Sequence, residues 1–197
     1  MNIRARVWAA RIVVAVCGVL FVVVVVRATL YAPIDQTAVA SAFDGPLSAG
    51  DYPVRFRIPS IGVNAAIQYV GVTKTGAMGT PNNFTDVAWY KDGSAPGEVG
   101  SAVIDGHVDN GLALAGVFKK LNQVAVGDDI YVQTASSSAL HFSVVDIESY
   151  PYKDVPTGQI FNRTDAARLN LITCEGIWVP NEKTYDQRLV VYAVLVK

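Results

Sequence analysis

The hydrophobic residues of this chain are concentrated in one uninterrupted block near its start. Residues 12–26 read IVVAVCGVLFVVVVV without a charge, and extending the block to residue 31 adds only Arg27. A helix that crosses the apolar core of a bilayer needs about 20 such residues. The pattern therefore predicts one membrane-spanning helix over residues 9–31, with Arg11 and Arg27 reaching toward the headgroups at its two ends.

A cleaved signal peptide is the alternative interpretation of this block. The small-residue sites that would permit cleavage lie at residues 38–42, more than ten residues beyond the apolar run, which favours an uncleaved anchor. Arg4, Arg6 and Arg11 precede the block and no acidic residue does. Positive residues stay on the cytoplasmic side, so residues 1–8 are predicted to be cytoplasmic and the rest of the chain extracellular.

Beyond the block the pattern changes twice. Residues 32–53 are rich in Ala, Ser, Gly and Pro, and they are predicted to form a tether. Residues 54–197 are predicted to form one domain, in which short alternating runs are separated by turn residues. The predicted strands lie at residues 54–62, 65–72, 101–108, 127–134, 139–150, 169–174 and 188–196. Short helices are predicted over residues 112–121 and 164–169. Seven or eight strands with few helices indicate an all-β domain, a closed or partly closed β-barrel.

Charge changes the picture in one respect. Four of the sixteen Lys and Arg residues lie at or before Arg27, which leaves twelve against all seventeen Asp and Glu residues in the remainder. A net charge of about −5 outside the apolar block argues against nucleic acid as a partner, because nucleic-acid-binding domains carry basic surfaces.

The outer domain holds one cysteine and two histidines, and these small numbers narrow the search for a thiol-based site. Of the two cysteines, Cys17 lies in the apolar block and Cys174 is alone in the domain. Cys174 comes at the end of a strand-like run and before Glu-Gly, a position at the rim of a sheet where functional groups concentrate. Taken alone, this segment fits an inert core cysteine equally well, because free cysteines are often buried.

His107 and Arg188 also lie at strand termini. His107 follows an apolar run, and the alternative to a functional role is a surface histidine held by Asp105 or Asp109. Arg188 opens the last run, and its alternative is a salt bridge with Asp186 or another carboxylate. The other histidine, His141, lies within a strand and is predicted to face solvent.

Together these three residues fit one chemistry. A thiol attacks a carbonyl as its thiolate, which an imidazolium stabilises before protonating the leaving amine. A guanidinium offers planar donors to the oxyanion that forms. No cofactor or metal is predicted, because two histidines and a cysteine spaced 34 and 33 residues apart match no zinc motif. A glycine-rich phosphate loop is also absent from the sequence.

Several segments are similar to those of one family. GSAVIDGHVD resembles the histidine segment of the sortases, LNLITCEG their cysteine segment and YDQRLVVYA their arginine segment. IPSIGVNAAI and FKKLNQVAVGDDIYV resemble further parts of the same domain, so the likeness covers residues 54–197. The stretch TPNNFTDVAWYKDGSAPGEVGSAVIDGHVD most resembles class F sortases. One departure is Asn170, where many members have Thr in the motif Thr-Leu-x-Thr-Cys.

The resemblance implies a sortase-like closed barrel of about eight strands, with the functional residues on its rim. It implies a Gram-positive cysteine transpeptidase in which Cys174 is the nucleophile, His107 the acid/base and Arg188 the oxyanion stabiliser. The expected substrates are proteins with a C-terminal Leu-Pro-x-Thr-Gly-like sorting signal, and the expected acceptor is an amine of a peptidoglycan precursor or another amine. Thr173, next to the nucleophile, and Trp178, in the following loop, are the predicted substrate-binding residues.

Two other functions are alternatives to that of a sortase. L,D-transpeptidases and papain-like peptidases also use Cys and His, but no SHGC-like segment is present, and papain-like enzymes place the cysteine before the histidine. A membrane-tethered barrel that binds without catalysing is the non-enzymatic alternative, and in such a protein Cys174 would be unreactive.

Overall fold

The computed structural model describes residues 3–30, 51–110 and 112–196. Its first element is the helix α1 (Ile3–Leu30), in which the apolar stretch Arg11–Thr29 has a mean hydropathy of 2.7 and packs against no other part of the described protein. This helix is long and apolar enough to cross a membrane, although a signal sequence has the same character. The predicted tether lies almost entirely outside the described residues.

Eight strands close into one barrel, as predicted. Around the barrel they follow the order β1-β2-β3-β4-β7-β8-β6-β5. The β2–β3 and β4–β7 pairs are parallel and the other neighbours are antiparallel. The strand bounds are β1 (Pro53–Ile58), β2 (Val63–Val70), β3 (Val87–Tyr90), β4 (Gly100–Asp105), β5 (Asp129–Thr134), β6 (Ala139–Pro151), β7 (Ala167–Val179) and β8 (Thr184–Leu195).

The interior of the barrel is a continuous apolar core. Because successive side chains of a strand point to opposite faces, every second residue enters this core. Leu169 and Leu171 of β7 lie inside, opposite Ala193 and Val191 of β8. The largest side chains that are almost completely buried include those of Trp89, Phe56, Phe118 and Phe142. The core therefore fixes which residues of each strand face outward.

A second, smaller apolar cluster lies on the outer face of β4, β7 and β8. The short helix α2 (Thr157–Phe161) packs there through Ile160, which contacts the outward side chains of Val103, Val190 and Tyr192. The buried amide of Asn170 donates a 2.6 Å hydrogen bond from Nδ2 to the carbonyl oxygen of Ile160. Asn170, the departure from the family motif, thus ties α2 to the strand that carries Cys174.

The helix predicted over residues 112–121 is wrong. The chain forms turns there, followed by a single 3-10 turn at Leu121–Gln123. The side-chain oxygen of Asn110 accepts hydrogen bonds from the backbone N–H groups of Leu112 and Leu114. Such side-chain acceptors compete with helical hydrogen bonds, and Ala113 takes a positive φ of 58° that a right-handed helix excludes.

The helix predicted over residues 164–169 is also wrong, and the nearby helix is α2 instead. Asp165 accepts hydrogen bonds from Arg163 and Arg168, and β7 has already begun at Ala167. The strand β3 was not predicted, because its four residues VAWY form a short apolar run without alternation; it pairs in parallel with β2 and antiparallel with β4. The strands β7 and β8 both extend beyond their predicted ends, so Cys174 lies within β7 and Arg188 within β8.

Candidate active site

Cys174 and Arg188 are directly opposite each other. In the antiparallel β7–β8 pair, Cys174 is the register partner of Arg188. Directly opposed residues project from the same face of a sheet with their Cβ atoms about 5 Å apart. Both follow the outward alternation set by Val190 and Tyr192, so the thiol and the guanidinium share the outer face of the barrel. The predicted nucleophile and the predicted oxyanion stabiliser are therefore neighbours.

The guanidinium of Arg188 is held by its own strand. Nη1 donates to the carbonyl oxygens of Tyr185 and Gln187 at 3.1 and 2.8 Å, and Nη2 donates to Oγ1 of Thr184 at 2.8 Å. The group also lies over the ring of Tyr152, 5.6 Å from its centroid. No carboxylate of the described residues lies at ion-pair distance from Arg188, and three of its five N–H donors are used. Two donors remain for a substrate.

The parallel register of β4 with β7 brings the segment just before His107 beside the strand that carries Cys174. Asp105 is the register partner of Ile172, and the two segments remain adjacent beyond this pair. The N–H of Gly106 donates to the carbonyl oxygen of Ile172 at 3.3 Å. If this register is extended by one residue beyond Gly106, the backbone of His107 aligns with that of Cys174 on the adjacent strand.

Thr173 links these two segments through a side-chain hydrogen bond. It is 2% exposed and faces inward, opposite to Cys174, as the alternation predicts. Its Oγ1 donates a 2.7 Å hydrogen bond to the carbonyl oxygen of Gly106, the residue before His107. A Cβ at Gly106 would lie 2.5 Å from the ring of Phe118, so only glycine fits this close approach. Thr173 thus positions the histidine segment rather than lining the outer face.

The ring of His107 is fixed by a backbone carbonyl. Nε2 lies 2.9 Å from the oxygen of Pro81, and the ring packs against Phe84 with 5.1 Å between centroids. Because a carbonyl oxygen only accepts, Nε2 carries the proton and Nδ1 is the basic nitrogen of the neutral ring. The structure therefore holds His107 by Pro81 and not by Asp105 or Asp109.

A groove of about 830 Å³ runs past the thiol and the guanidinium. Met78, Tyr90 and Phe161 are among the apolar residues of its wall, and Asp92 and Asp105 are its acidic residues. Residues 72–80, the end of β4 and the helix α2 supply much of the lining, together with Cys174 and Arg188. An apolar groove with a few polar groups at one place is the usual form of a binding site for an extended peptide or a small ligand.

Cys174 also lines a second, smaller cavity of about 190 Å³. Its other residues include the inward-facing Thr173 and Leu189 together with Asp109 and Tyr185. The hydroxyl of Tyr185 donates to the carboxylate of Asp109, with oxygen distances of 2.7 and 2.8 Å. Cys174 therefore borders two cavities.

Burial favours the neutral forms of both predicted catalytic groups. Desolvation raises the pKa of the Cys174 thiol; Arg188 opposes this shift, while the charges of Asp105 and Asp109 add to it. Desolvation also lowers the pKa of His107, against the opposing effects of the Pro81 carbonyl and Asp109. Both shifts favour a neutral thiol and a neutral imidazole near neutral pH.

The comparisons with known proteins identify the family and the fold. The family model described as "Sortase domain" matches residues 56–196, which is most of the chain and all eight strands except the start of β1. The chain belongs to the sortase family. No curated protein gave a significant match by sequence.

Solved structures share the sortase barrel. Sortase A from Corynebacterium diphtheriae matches with a TM-score of 0.57 and 23% identity over 75% of this chain and 62% of that one. Sortase C-1 from Actinomyces oris matches with a TM-score of 0.54 and 28% identity, covering 74% of this chain and 75% of that one. Sortase C from Clostridium perfringens SM101 has a TM-score of 0.54 and 20% identity, covering 77% and 73%. The assignment of this sortase to class F stays a prediction.

Trp178 has a different setting from the other predicted site residues of this sortase. Its side chain is 49% exposed and packs edge-on against Tyr185, with 5.4 Å between the ring centroids. It belongs to the extended β7–β8 hairpin, beyond a bulge at Gly176, where φ is +85° and a Cβ would collide with the carboxylate of Asp186. Trp178 is not among the residues that line either cavity, and its contact with substrate stays a prediction.

Asp105 lies in this sortase site although the sequence did not predict it there. Its carboxylate was considered as a partner of His107, yet it lines the groove beside Cys174 and Arg188. Strand alternation contained the necessary signal, because Asp105 is two residues beyond the outward-facing Val103. The groove walls from residues 72–80 and α2 carried no such signal, because they reach the site only through the tertiary fold.

Proposed function

We propose that this chain is a membrane-anchored cysteine transpeptidase of the sortase type. It cleaves a Leu-Pro-x-Thr-Gly-like C-terminal sorting signal through a thioester on Cys174 and transfers the protein to an amine of the cell wall. The observation that carries this proposal is the direct pairing of Cys174 with Arg188 beside a groove, with His107 aligned to them by the β4–β7 register.

In the first step the thiolate of Cys174 attacks the carbonyl carbon of the Thr-Gly peptide bond. The carbonyl electron pair moves onto oxygen, and the free donors of Arg188 stabilise that oxyanion. The imidazolium of His107 then protonates the leaving amine nitrogen as the C–N bond breaks. The products are a thioester on Cys174 and a free glycine-bearing peptide. Proton transfer from thiol to imidazole supplies the reactive pair from the neutral resting state.

In the second step an acceptor amine attacks the thioester carbonyl. His107 accepts a proton from the attacking nitrogen, and the collapse of the tetrahedral intermediate breaks the C–S bond. The thiolate is released and a new amide joins the substrate protein to the acceptor. The second cavity beside Cys174 gives the amine a path to the thioester that does not cross the substrate groove.

The helix α1 supports a membrane location for this reaction. With an N-terminus in the cytoplasm, the barrel lies outside the cell, where sorting signals and lipid-linked cell-wall precursors are held at the same membrane. Confinement of enzyme, substrate and acceptor to one surface raises their effective concentration.

The test uses the full chain in detergent micelles with a quenched Leu-Pro-x-Thr-Gly peptide and triglycine as acceptor. We expect cleavage with transfer to triglycine, and we expect Cys174→Ala to lose at least about 10³-fold of the rate because no nucleophile remains. Cys17→Ala is the matched control and should retain full activity.

Three results would contradict the proposal in different ways. Equal cleavage by the Cys174→Ala variant would exclude this nucleophile. Cleavage without transfer to any amine would identify a hydrolase. A folded protein with no cleavage and an unreactive Cys174 thiol would favour the non-catalytic binding barrel.

A further inference from the structure

Asp105 is a carboxylic acid in a row of apolar outward-facing residues. It is the last residue of β4, and its outward neighbours on the same face are Val103, Ile172 and Val190. A carboxyl group in such a place loses much of its hydration, which is costly unless a partner compensates. Within the described part of the chain no cation lies at ion-pair distance from it. The backbone N–H of Gly106, which donates to the carbonyl oxygen of Ile172, also favours the charged form of Asp105.

The position of Asp105 in the sheet brings it close to the thiol. Asp105 is level with Ile172 on the neighbouring strand, and Cys174 is two residues further along the same face. With strands about 4.8 Å apart and about 3.3 Å per residue, the Cα atoms of Asp105 and Cys174 are about 8 Å apart. Arg188 is one strand further, directly opposite Cys174. All three side chains line one groove.

Electrostatic interactions in this group of residues shift the pKa values of Asp105 and Cys174. Burial raises the pKa of Asp105 to about 7, against the opposing effects of Arg188 and the Gly106 N–H. The carboxylate of Asp105 in turn raises the pKa of the Cys174 thiol. The other titratable groups that line the groove are Tyr90, Asp92 and Tyr152, whereas residues 72–80 and α2 contribute no titratable side chain to the lining. Asp105 is therefore a group of this groove whose charge changes near neutral pH.

We propose that Asp105 is a fourth functional residue of the site, a positioning residue whose charge state controls the thiol of Cys174 and the guanidinium of Arg188. As an uncharged acid it leaves Arg188 available for the oxyanion and does not oppose ionisation of the thiol. As a carboxylate it attracts the guanidinium and opposes formation of the thiolate. The proposal rests on the proposed function in that it takes Cys174 as the nucleophile.

The proposal predicts a specific pH dependence for the reactivity of the thiol. Below about pH 6 Asp105 is protonated, and removing its charge has no effect. Above that range the wild-type thiol becomes harder to ionise, whereas the thiol of an Asp105→Asn variant does not. A charge about 8 Å away shifts a pKa by about 0.8 to 1.5 units at an effective dielectric constant of about 20 to 40. Alkylation of the variant at pH 8 is therefore expected to be about 6- to 30-fold faster than wild type.

The experiment measures the alkylation of Cys174 by iodoacetamide between pH 5.5 and 9.5. The full chain is used in detergent micelles in a Cys17→Ala background, so that one thiol remains, and the rate is followed by mass spectrometry. Asp154→Asn is the matched control, because it removes one carboxylate from an exposed position outside the groove lining. We expect Asp105→Asn to match wild type at pH 5.5 and to exceed it at pH 8, with the control matching wild type throughout.

Identical alkylation profiles of wild type and Asp105→Asn would overturn the proposal. So would an equal acceleration by Asp154→Asn, because net charge alone would then explain the effect. If Asp105→Asn fails to fold, Asp105→Ala removes the same charge with a smaller side chain and is read in the same way. The assay contains no sorting peptide. Failure of transpeptidation would therefore count against the proposed function and leave this readout intact.

Discussion

The inner and outer faces of β4, β7 and β8 are built from alternating residues of the same strands, yet they differ in composition. Ile104, Leu171 and Leu189 point inward and are almost fully buried among other apolar side chains. Cys174 and Arg188 point outward into the groove. The comparison teaches that one residue step along a strand separates side chains that stabilise the barrel from side chains available for chemistry.

Two residues do not fit this division, and they are informative for that reason. Thr173 is a polar residue on the inner face, where its hydroxyl binds the Gly106 carbonyl instead of packing in the core. Asp105 is an acidic residue on the outer face among apolar neighbours. Buried polar groups need partners, so each of these positions requires a specific contact to be tolerated.

Apart from replacement of the nucleophile, Arg188→Lys is expected to cause the largest loss of transfer activity of any outer-face substitution. A lysine keeps the positive charge but loses the planar set of donors, so transfer should fall about 10²- to 10³-fold, as for loss of an oxyanion donor. The measurement is kcat/KM for peptide transfer. Arg57→Lys, the same change on the exposed side of β1, should alter the rate less than about 2-fold. An Arg188→Lys enzyme within about 5-fold of wild type would exclude the oxyanion role.

On the inner face, Leu171→Ala is expected to lower the free energy of unfolding by about 2–5 kcal/mol, because it leaves a cavity in a packed core. The folded variant should keep its Cys174 chemistry, since the side chain points away from the groove. Denaturant unfolding measures the loss. Leu112→Ala, at a position that is 60% exposed, should change stability by less than about 0.5 kcal/mol. Similar losses for both variants would contradict the assignment of the core.

Thr173→Val tests the polar exception on the inner face. The substitution keeps the shape but removes the hydrogen bond to Gly106, which should cost about 1–2 kcal/mol of stability. Because that bond fastens the segment of His107, kcat should also fall a few-fold while KM stays unchanged. Thr173→Ser keeps the hydroxyl and should restore kcat. Unchanged turnover in Thr173→Val would remove the positioning role, leaving only a structural one.

Trp178→Ala is expected to give the smallest effect. Half of this side chain is exposed, and it contacts Tyr185 rather than lining the groove. If it meets the substrate at the groove edge, KM for the sorting peptide should rise about 2- to 3-fold, with kcat unchanged, because little apolar area is lost. A fall in kcat, or a rise in KM beyond about 10-fold, would place Trp178 at the centre of the site.

The features that depend on strand alternation were predictable from the sequence. The all-β class and the opposite orientations of Thr173 and Cys174 follow from a period of two, whereas closure of the barrel was implied by the family resemblance. Features that depend on side-chain-to-backbone bonds were not predictable. In the segment 112–121 the apolar spacing resembles a helix, yet Asn110 supplies acceptors that hold a turn.

The sequence predicted residues for the candidate site, whose catalytic roles stay predictions, but it did not predict the geometry of the site. His107, Cys174 and Arg188 were identified from strand ends, whereas β7 and β8 continue past Cys174 and Arg188 and pair them directly. The bulge at Gly176 and the continuation of the hairpin are set by Asp186, which accepts the N–H of Ile177 at 2.7 Å. The groove walls come from segments far apart in sequence, so no local pattern reports that they meet.

The most direct test of the central claim is to trap the acyl-enzyme. The full chain is mixed with a Leu-Pro-x-Thr-Gly peptide without acceptor amine, quenched in acid, digested and analysed by mass spectrometry. The account predicts the mass of the Leu-Pro-x-Thr fragment on the peptide that contains Cys174, and predicts its removal by hydroxylamine, which cleaves thioesters. A cleaved peptide with no adduct at Cys174, or with the adduct on another residue, would contradict the account.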